Sequence, residues 1–217
     1  TTDLRTFKPT DMGNFKEDIA RIEAMIFDVD GVMTDGRIIP TAEGDFIRCY
    51  NCKDGYALAY AIRHGYRVCV ITGGYGKILE RRLRMLGMQD FYIDCMDKIS
   101  TLREYMKKYN LNPENVLYMG DDIPDLECMR EVGMPVCPAD SAAEVIECSR
   151  YVSEFEGGRG AVRDIVEQIL RARGDWAKSS EGVTPSSLVA SRYPCKGKSK
   201  LFLDTRSPVV FRLRGFL

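Results

Sequence analysis

Two aspartates follow the first apolar run of the chain, in residues 28–31 (Asp-Val-Asp-Gly). The preceding residues 24–27 (Ala-Met-Ile-Phe) are all apolar, which is typical of a strand buried on both faces of a parallel sheet. Ligands of open α/β sheets bind at the carboxyl end of such strands. A turn at Gly31 would bring Asp30 beside Asp28, and the two carboxylates would then require a cation. These residues predict a metal site, although a solvated acidic turn would have the same local sequence.

A second acidic pair follows another short strand. Asp121 and Asp122 come after Gly120, at the end of a strand predicted over residues 115–119. In a parallel sheet this pair would lie at the same edge as Asp28 and Asp30. Oxygen ligands without convergent His or Cys favour Mg²⁺ over zinc. We therefore expect Mg²⁺ as the cofactor.

Two further segments could bind a phosphate. Thr72, Gly73 and Gly74 follow the predicted strand 67–71, and they would offer a hydroxyl and backbone N–H groups at a helix N-terminus. Lys98 lies near the start of a predicted helix, where the helix dipole disfavours a cation unless an anion is near. Each has a plain alternative in isolation, an ordinary strand-to-helix turn and a solvated lysine.

The composition is that of a globular protein with one sizeable core. The chain has 217 residues, 45% of them hydrophobic, and a net charge of −1, which gives no reason to expect nucleic acid as a partner. No apolar run approaches the roughly 18 residues of a membrane span, and the polar start does not resemble a secretory signal. We expect a cytoplasmic protein without membrane partners. Eight scattered cysteines favour reduced thiols, and Cys49 and Cys52 form a lone C-x-x-C for which zinc or redox chemistry is the minor alternative.

Short strands alternate with helices along most of the chain. Strands are predicted over 24–27, 67–71, 90–93, 115–119, 135–136 and 151–152. Helices are predicted over 15–22, 55–64, 77–86, 100–109, 123–132, 141–148 and from 160 to about 173, with Asp54 as the N-cap of the second. This alternation predicts a Rossmann-like α/β fold with a doubly wound parallel sheet. A β-hairpin over residues 38–48 interrupts the series.

The charge distribution predicts the domain limits. Residues 1–22 are interpreted as a polar lead-in and residues 23–176 as the folded domain. Residues 177–217 contain eight Lys or Arg and two Asp or Glu, a charge of +6 against −7 for residues 1–176. We interpret this basic tail as a flexible or artefactual addition outside the core.

The four motifs resemble those of the haloacid dehalogenase superfamily of phosphotransferases. They are D-x-D-G-V at Asp28, T-G at Thr72, Lys98, and G-D-D with a following Asp125. The resemblance covers residues 23–176. Four longer segments are similar to the 3-deoxy-D-manno-octulosonate 8-phosphate phosphatase family, a capless subclass: TDG at Thr34, KDGYAL at Lys53, GDDIPDLE at Gly120 and GGRGAVRD at Gly157.

The resemblance implies hydrolysis of a sugar-acid phosphate, with Mg²⁺, through an aspartyl-phosphate. Asp28 would be the nucleophile and a metal ligand. Asp30 would be the acid/base and would offer its backbone carbonyl to the metal, and Asp121 would complete the protein ligands. Thr72, Gly73 and Lys98 would hold the phosphoryl oxygens, and Asp122 and Asp125 would support the metal ligands from outside.

One departure from the family leaves the substrate open. Relatives often carry an arginine within two or three residues of the second-motif glycine, where this chain has Gly74, Tyr75 and Gly76. A nine-carbon ulosonate 9-phosphate is the enzymatic alternative. A non-catalytic oligomerisation domain of the same fold is the alternative from another class, although Asp28 and Asp30 are both present.

The spacing of the motifs excludes a full cap domain. Only 42 positions separate Asp30 from Thr72 and 26 separate Thr72 from Lys98, and the hairpin and one helix use most of the first gap. An uncovered site would stabilise charge poorly. We therefore expect a homotetramer in which hairpins pair and Arg159, in the 157–160 segment, binds substrate in a neighbouring subunit. The alternative is a flexible loop with Arg159 solvated.

Overall fold

The computed structural model describes residues 15–178, which form a parallel sheet with helices on both faces. The strands are β1 (Ala24–Phe27), β2 (Ile39–Pro40), β3 (Phe46–Ile47), β4 (Arg67–Ile71), β5 (Asp90–Tyr92), β6 (Val116–Met119), β7 (Met134–Cys137) and β8 (Tyr151–Val152). The helices are α1 (Phe15–Ala20), α2 (Cys52–Arg63), α3 (Lys77–Leu86), α4 (Lys98–Tyr109), α5 (Leu126–Glu131), α6 (Ala143–Cys148) and α7 (Ala161–Ala172). The predicted α/β class is confirmed.

The six parallel strands have the order β5-β4-β1-β6-β7-β8. From β1 the chain moves outward through β4 to β5, and then crosses to β6 on the other side of β1. The strand order therefore reverses around β1. Ligands of such sheets bind outside the carboxyl ends of the strands at this reversal, which is where Asp28 lies.

Alternation of side chains along β1 serves both layers of the core. Met25 and Phe27 pack with α1, α2, α3 and α7, whereas Ala24 and Ile26 pack with α4, α5 and α6. All four residues are buried, as the continuous apolar run predicts. The doubly wound arrangement holds the end of β1 rigidly between two helical layers.

The predicted hairpin is present and is small. Strands β2 and β3 pair in antiparallel fashion, with Ile39 opposite Ile47 and Pro40 opposite Phe46. They form a separate two-stranded sheet between β1 and α2 in the chain. Residues 15–178 contain no second folded domain between β1 and α2, only this hairpin.

Four predicted helix starts are wrong: α2, α4, α5 and α6 begin at Cys52, Lys98, Leu126 and Ala143 instead of at 55, 100, 123 and 141. Helix α2 begins at Cys52 with Asn51 as its N-cap, and Asp54 lies buried inside it. The Asp54 carboxylate instead accepts a hydrogen bond of 2.8 Å from the backbone N–H of Arg163, so it caps the first turn of α7. The helix predicted over 123–132 is a 3₁₀ turn at Ile123–Asp125 followed by α5, consistent with Pro124 favouring a helix start.

The contacts divide the chain into two units, Thr1–Ala177 and Lys178–Leu217. The described residues fall almost wholly in the first unit. None of the helices in residues 15–178 is both long and apolar enough to cross a bilayer. Residues 179–217 of the predicted basic tail lie outside the described residues, and the domain limits remain a prediction.

Candidate active site

The first motif lies in a tight loop at the end of β1. The backbone N–H of Asp28 donates to the Met119 carbonyl (3.0 Å), which ties the ends of β1 and β6 together. The Val29 carbonyl then accepts hydrogen bonds from the N–H groups of Met33 and Thr34. Asp28 is buried as a result. Its carboxylate is therefore fixed at the crevice where the strand order reverses.

Three carboxylates meet at this point. One oxygen from each of Asp28, Asp121 and Asp125 lies within 4.8 Å of the other two. Gly31, at φ +87°, allows the Asp121 carboxylate to lie against the loop that follows β1, because a Cβ at position 31 would overlap that carboxylate. The predicted convergence of the first and last motifs is therefore present in the structure.

The electrostatics of this cluster fit a bound cation. Burial raises the pKa of Asp28 to about 6, and the charge of Asp125 adds to the rise. Burial also raises the pKa of Asp121 to about 8, with further contributions from Asp28 and Asp125. Asp28 Oδ1 is buried without a hydrogen-bond partner among the described residues. An oxygen-ligated cation such as Mg²⁺ would satisfy that oxygen and offset the repulsion.

Asp125 is more deeply embedded than the other two carboxylates. Its Oδ1 accepts from Lys98 Nζ (2.8 Å) and from the Tyr118 hydroxyl (2.8 Å), and its Oδ2 accepts from the Asp121 N–H (3.2 Å). Both oxygens are therefore engaged with protein donors. This arrangement suits a residue that orients Lys98 and the Asp121 loop, which is the supporting role expected for it.

Lys98 and Thr72 complete the group around Asp28. Lys98 Nζ lies 3.2 Å from Asp28 Oδ1, in a geometry that forms an ion pair but not a hydrogen bond. Burial would lower the pKa of Lys98, but Asp28 and Asp125 together raise it above its usual value. Thr72 is buried, and its hydroxyl accepts from the Gly74 N–H (3.0 Å). A cationic group and a hydroxyl thus flank one carboxylate, as phosphate binding requires.

Asp30 lies apart from the three clustered carboxylates, and its partner is a residue that sequence reasoning missed. Arg48 Nε donates to Asp30 Oδ1 (2.7 Å) and Arg48 Nη2 donates to Asp30 Oδ2 (3.0 Å). The Arg48 side chain is only 3% exposed. An arginine at the end of a hairpin strand has no local pattern that marks it as buried. Only the fold brings it to Asp30.

Two predicted site residues have less support from the described contacts. The Asp122 side chain is exposed and lies outside the cluster, although its charge contributes to the raised pKa of Asp121. Arg159 is exposed and pairs with Glu156 at 3.0 Å. It lines a cleft of about 180 Å³ together with Asp35, Cys49, Tyr50 and Gly158. Their roles stay predictions.

The chain is similar to known phosphatases. A family model described as haloacid dehalogenase-like hydrolase matches residues 84–163. The 3-deoxy-D-manno-octulosonate 8-phosphate phosphatase KdsC of Escherichia coli K12 is 37% identical over 153 residues, which cover 70% of this chain and 81% of that protein. The chain belongs to the 3-deoxy-D-manno-octulosonate 8-phosphate phosphatase family. That membership makes it a phosphoric monoester hydrolase, and the predicted resemblance is confirmed.

Solved structures of relatives agree with this assignment. The 3-deoxy-D-manno-octulosonate 8-phosphate phosphatase of Yersinia pestis matches with a TM-score of 0.71 and 36% identity, over 74% of this chain and 86% of that one. The phosphatase of the same name from Moraxella catarrhalis, solved in complex with magnesium, phosphate and KDO, matches with a TM-score of 0.72 and 28% identity. That match covers 83% of this chain and 98% of that one.

Proposed function

We propose that the protein hydrolyses 3-deoxy-D-manno-octulosonate 8-phosphate to the free sugar acid and phosphate, with Mg²⁺ as cofactor, in the synthesis of lipopolysaccharide precursors. The observation that carries this proposal is the buried Asp28, whose Oδ1 accepts no hydrogen bond from the described residues and lies close to two further carboxylates and the Lys98 ammonium. The relatives that bear this substrate in their names, one of them solved with magnesium, phosphate and KDO, support the choice of substrate. A phosphorylated sugar acid is a charged metabolite, so we place the reaction in the cytoplasm.

The residues suit a double displacement through an aspartyl-phosphate. Asp28 attacks phosphorus, and Lys98 and the Thr72 hydroxyl stabilise the charge that develops on the phosphoryl oxygens, with Gly73 offering its N–H. Mg²⁺ held by Asp28, Asp121 and the Asp30 carbonyl would offset the repulsion between the carboxylate and the phosphate dianion. Asp125 keeps Lys98 aimed at Asp28, since the ammonium contacts both carboxylates.

Asp30 moves the protons. The leaving group is a sugar alkoxide, a poor one, so it requires a proton as the ester bond breaks, and Asp30 supplies it. The same carboxylate then takes a proton from the water that hydrolyses the aspartyl-phosphate. Because both Asp30 oxygens accept from Arg48 in the free protein, this ion pair competes with either transfer.

Phosphate release from a panel of esters tests the proposal. The eight-carbon ulosonate 8-phosphate should give a higher kcat/KM than a nine-carbon ulosonate 9-phosphate, nucleotides or hexose phosphates. Asp28→Asn should fold normally and lose at least about a thousandfold in kcat, because an amide is a poor nucleophile and a poor metal ligand. Its matched control is Glu104→Gln, which removes an exposed carboxylate on α4 that is not part of the cluster. Near-normal turnover by folded Asp28→Asn, or a preference for another ester class, would overturn the proposal.

We also propose that the enzyme is a homotetramer held by its hairpins. A two-stranded hairpin is marginally stable alone, and this one exposes Ile38, Ile39 and Ile47 at 47%, 58% and 46%. Pairing with hairpins of other copies would bury these side chains. In such a ring the exposed Arg159 would reach substrate in a neighbouring site, where a cation is useful to an anionic ligand.

Subunit mixing tests the assembly and the arginine together. Sedimentation should give a tetramer, and Arg159→Ala should raise KM. Hybrids of Asp28→Asn with Arg159→Ala subunits should regain activity, because an intact Asp28 and an intact Arg159 would then meet at one interface. A fully active monomer contradicts the assembly, and unchanged kinetics of Arg159→Ala contradict the role of the arginine.

A further inference from the structure

Arg48 reaches the active site from the hairpin, although it belongs to none of the four motifs. It follows β3 directly, and its guanidinium lies 5.8 Å from the centroid of the Phe46 ring. Its two hydrogen bonds to Asp30, of 2.7 and 3.0 Å, occupy both oxygens of that carboxylate. The Asp30 side chain is 30% exposed, whereas Arg48 is buried, and bidentate pairs of this kind are geometrically specific. The residue expected to move protons is therefore held by a residue of the insertion.

Gly74 shows how close this pair lies to the phosphate-binding loop. A Cβ at Gly74 would lie 2.9 Å from Arg48 Nη2, 3.0 Å from Asp30 Oδ2 and 3.2 Å from Thr72 Oγ1. All three polar atoms therefore surround one point beside the loop. Arg48 Nη1 also donates to the Tyr75 carbonyl at 3.4 Å. Glycine at position 74 leaves the space that the guanidinium uses.

The pair imposes a condition on catalysis. Both Asp30 oxygens accept from Arg48, and protonation of Asp30 would weaken that charge-assisted pair, so proton transfer competes with it and we infer that the pair opens during catalysis. Opening it leaves a nearly buried guanidinium without its counter-ion, which is costly unless another anion takes the place of Asp30. Lys98 and a bound Mg²⁺ would offset the phosphate dianion. A carboxylate elsewhere on the substrate would still require a cation.

We propose that Arg48 determines specificity by exchanging Asp30 for the carboxylate of the sugar acid. The inference rests on the proposed function, because only a substrate with a second anionic group can complete the exchange. A sugar-acid phosphate takes the guanidinium and frees Asp30 for proton transfer. A neutral sugar phosphate leaves Asp30 bound to Arg48 and reacts slowly. The insertion then couples recognition of the substrate to release of the acid/base.

The competing interpretation is that the pair only anchors the hairpin to the sheet. An anchor would affect all substrates alike when it is removed. A carboxylate switch would affect acidic and neutral substrates in opposite directions, because loss of Arg48 removes the contact to the acid and at the same time frees Asp30. This difference in sign separates the two interpretations without a need for a structure of the complex.

Gluconate 6-phosphate and glucitol 6-phosphate provide the test. They differ only at C1, where the first has a carboxylate and the second a hydroxymethyl group. The wild-type enzyme should prefer the gluconate ester. In Arg48→Met, kcat/KM for the gluconate ester should fall about 10- to 100-fold, mainly through KM, as expected for loss of one charge-assisted bidentate contact. Turnover of the glucitol ester should rise, because Arg48 no longer holds Asp30. The matched control is Arg84→Gln, an exposed arginine on α3 that pairs with Glu80 and should change neither value.

Arg48→Lys provides a second variant, which keeps the positive charge but loses the two-point hydrogen bonding of the guanidinium. Arg48→Lys should retain part of the preference for the gluconate ester, and it should fold even if Arg48→Met does not. If the ratio of kcat/KM for the gluconate ester to that for the glucitol ester is unchanged in both variants, the proposal is overturned. Equal losses for both esters also overturn it, and they identify Arg48 as an anchor. A wild-type enzyme without any preference for the gluconate ester overturns it while leaving the phosphatase assignment intact. Absence of Mg²⁺-dependent phosphate release from every ester overturns the proposed function as well.

Discussion

Replacement of Gly31 by alanine separates backbone strain from loss of the metal site. Gly31 has φ +87°, and a Cβ there would overlap the Asp121 carboxylate. Gly65 has φ +82°, but no atom lies within 4 Å of the Cβ position. The two glycines therefore share the backbone conformation and differ in what the new methyl group meets. Gly65→Ala is the matched control for Gly31→Ala.

The magnitudes follow from this difference. A left-handed conformation costs an alanine about 1–2 kcal/mol, so both variants should lose that much stability and about 2–8 °C in Tm. Gly31→Ala must in addition displace Asp121 from its position opposite Asp28. Displacement of a metal ligand should weaken Mg²⁺ binding about 10- to 100-fold, the range seen when residues that orient ligands are lost. Gly65→Ala should leave Mg²⁺ binding unchanged.

Phosphate release measured against Mg²⁺ concentration gives the half-saturation value for each variant, and thermal unfolding gives the stability. Excess Mg²⁺ should restore much of the activity of Gly31→Ala if the defect lies in metal affinity. A Gly31→Ala enzyme with the wild-type half-saturation value would show that Asp121 is not a ligand. A similar loss of Mg²⁺ affinity in Gly65→Ala would show that the effect comes from general destabilisation.

Two further predictions concern the charges around Asp28. Asp125→Asn should lower the free energy of unfolding in urea by about 2–4 kcal/mol and should also lower kcat, because Lys98 keeps a hydrogen-bond acceptor but loses a buried counter-charge. The control is Glu131→Gln, which removes an exposed pair with Arg103. A loss of stability in Asp125→Asn no larger than in this control would contradict the prediction. In the metal-free protein burial raises the pKa of Asp121 to about 8, so the free energy of unfolding should fall as the pH rises from the unfolded-state pKa of about 4 to about 8. Mg²⁺ requires the carboxylate, so its affinity by calorimetry should rise up to about tenfold per pH unit from pH 6 to 8, and a constant affinity would contradict the raised pKa.

The sequence predicts most of the fold because its strands are short apolar runs that end at polar residues. Asp28 and Asp121 could be brought together from sequence alone, since both follow buried strands whose carboxyl ends share one edge of a parallel sheet. Element boundaries were less predictable. Asp54 resembles an N-cap by residue type, but Asn51 takes that position and tertiary packing directs Asp54 to α7. Residue type alone does not indicate which helix a capping side chain serves.

The burial of Arg48 could not be predicted from the sequence, and its contact with Asp30 is one of two that hold the hairpin in place. A basic residue at the end of a polar hairpin is normally solvated, and its burial against Asp30 depends on a contact between residues 18 positions apart. Asp45 of the same hairpin accepts a hydrogen bond of 3.0 Å from the Ile78 N–H, in the first turn of α3. The hairpin is thus attached to the first motif, through Asp30, and to the helix that follows the second motif. An insertion held at these two places can expose an apolar face, with Ile38, Ile39 and Ile47, and still keep the Arg48 guanidinium beside Asp30.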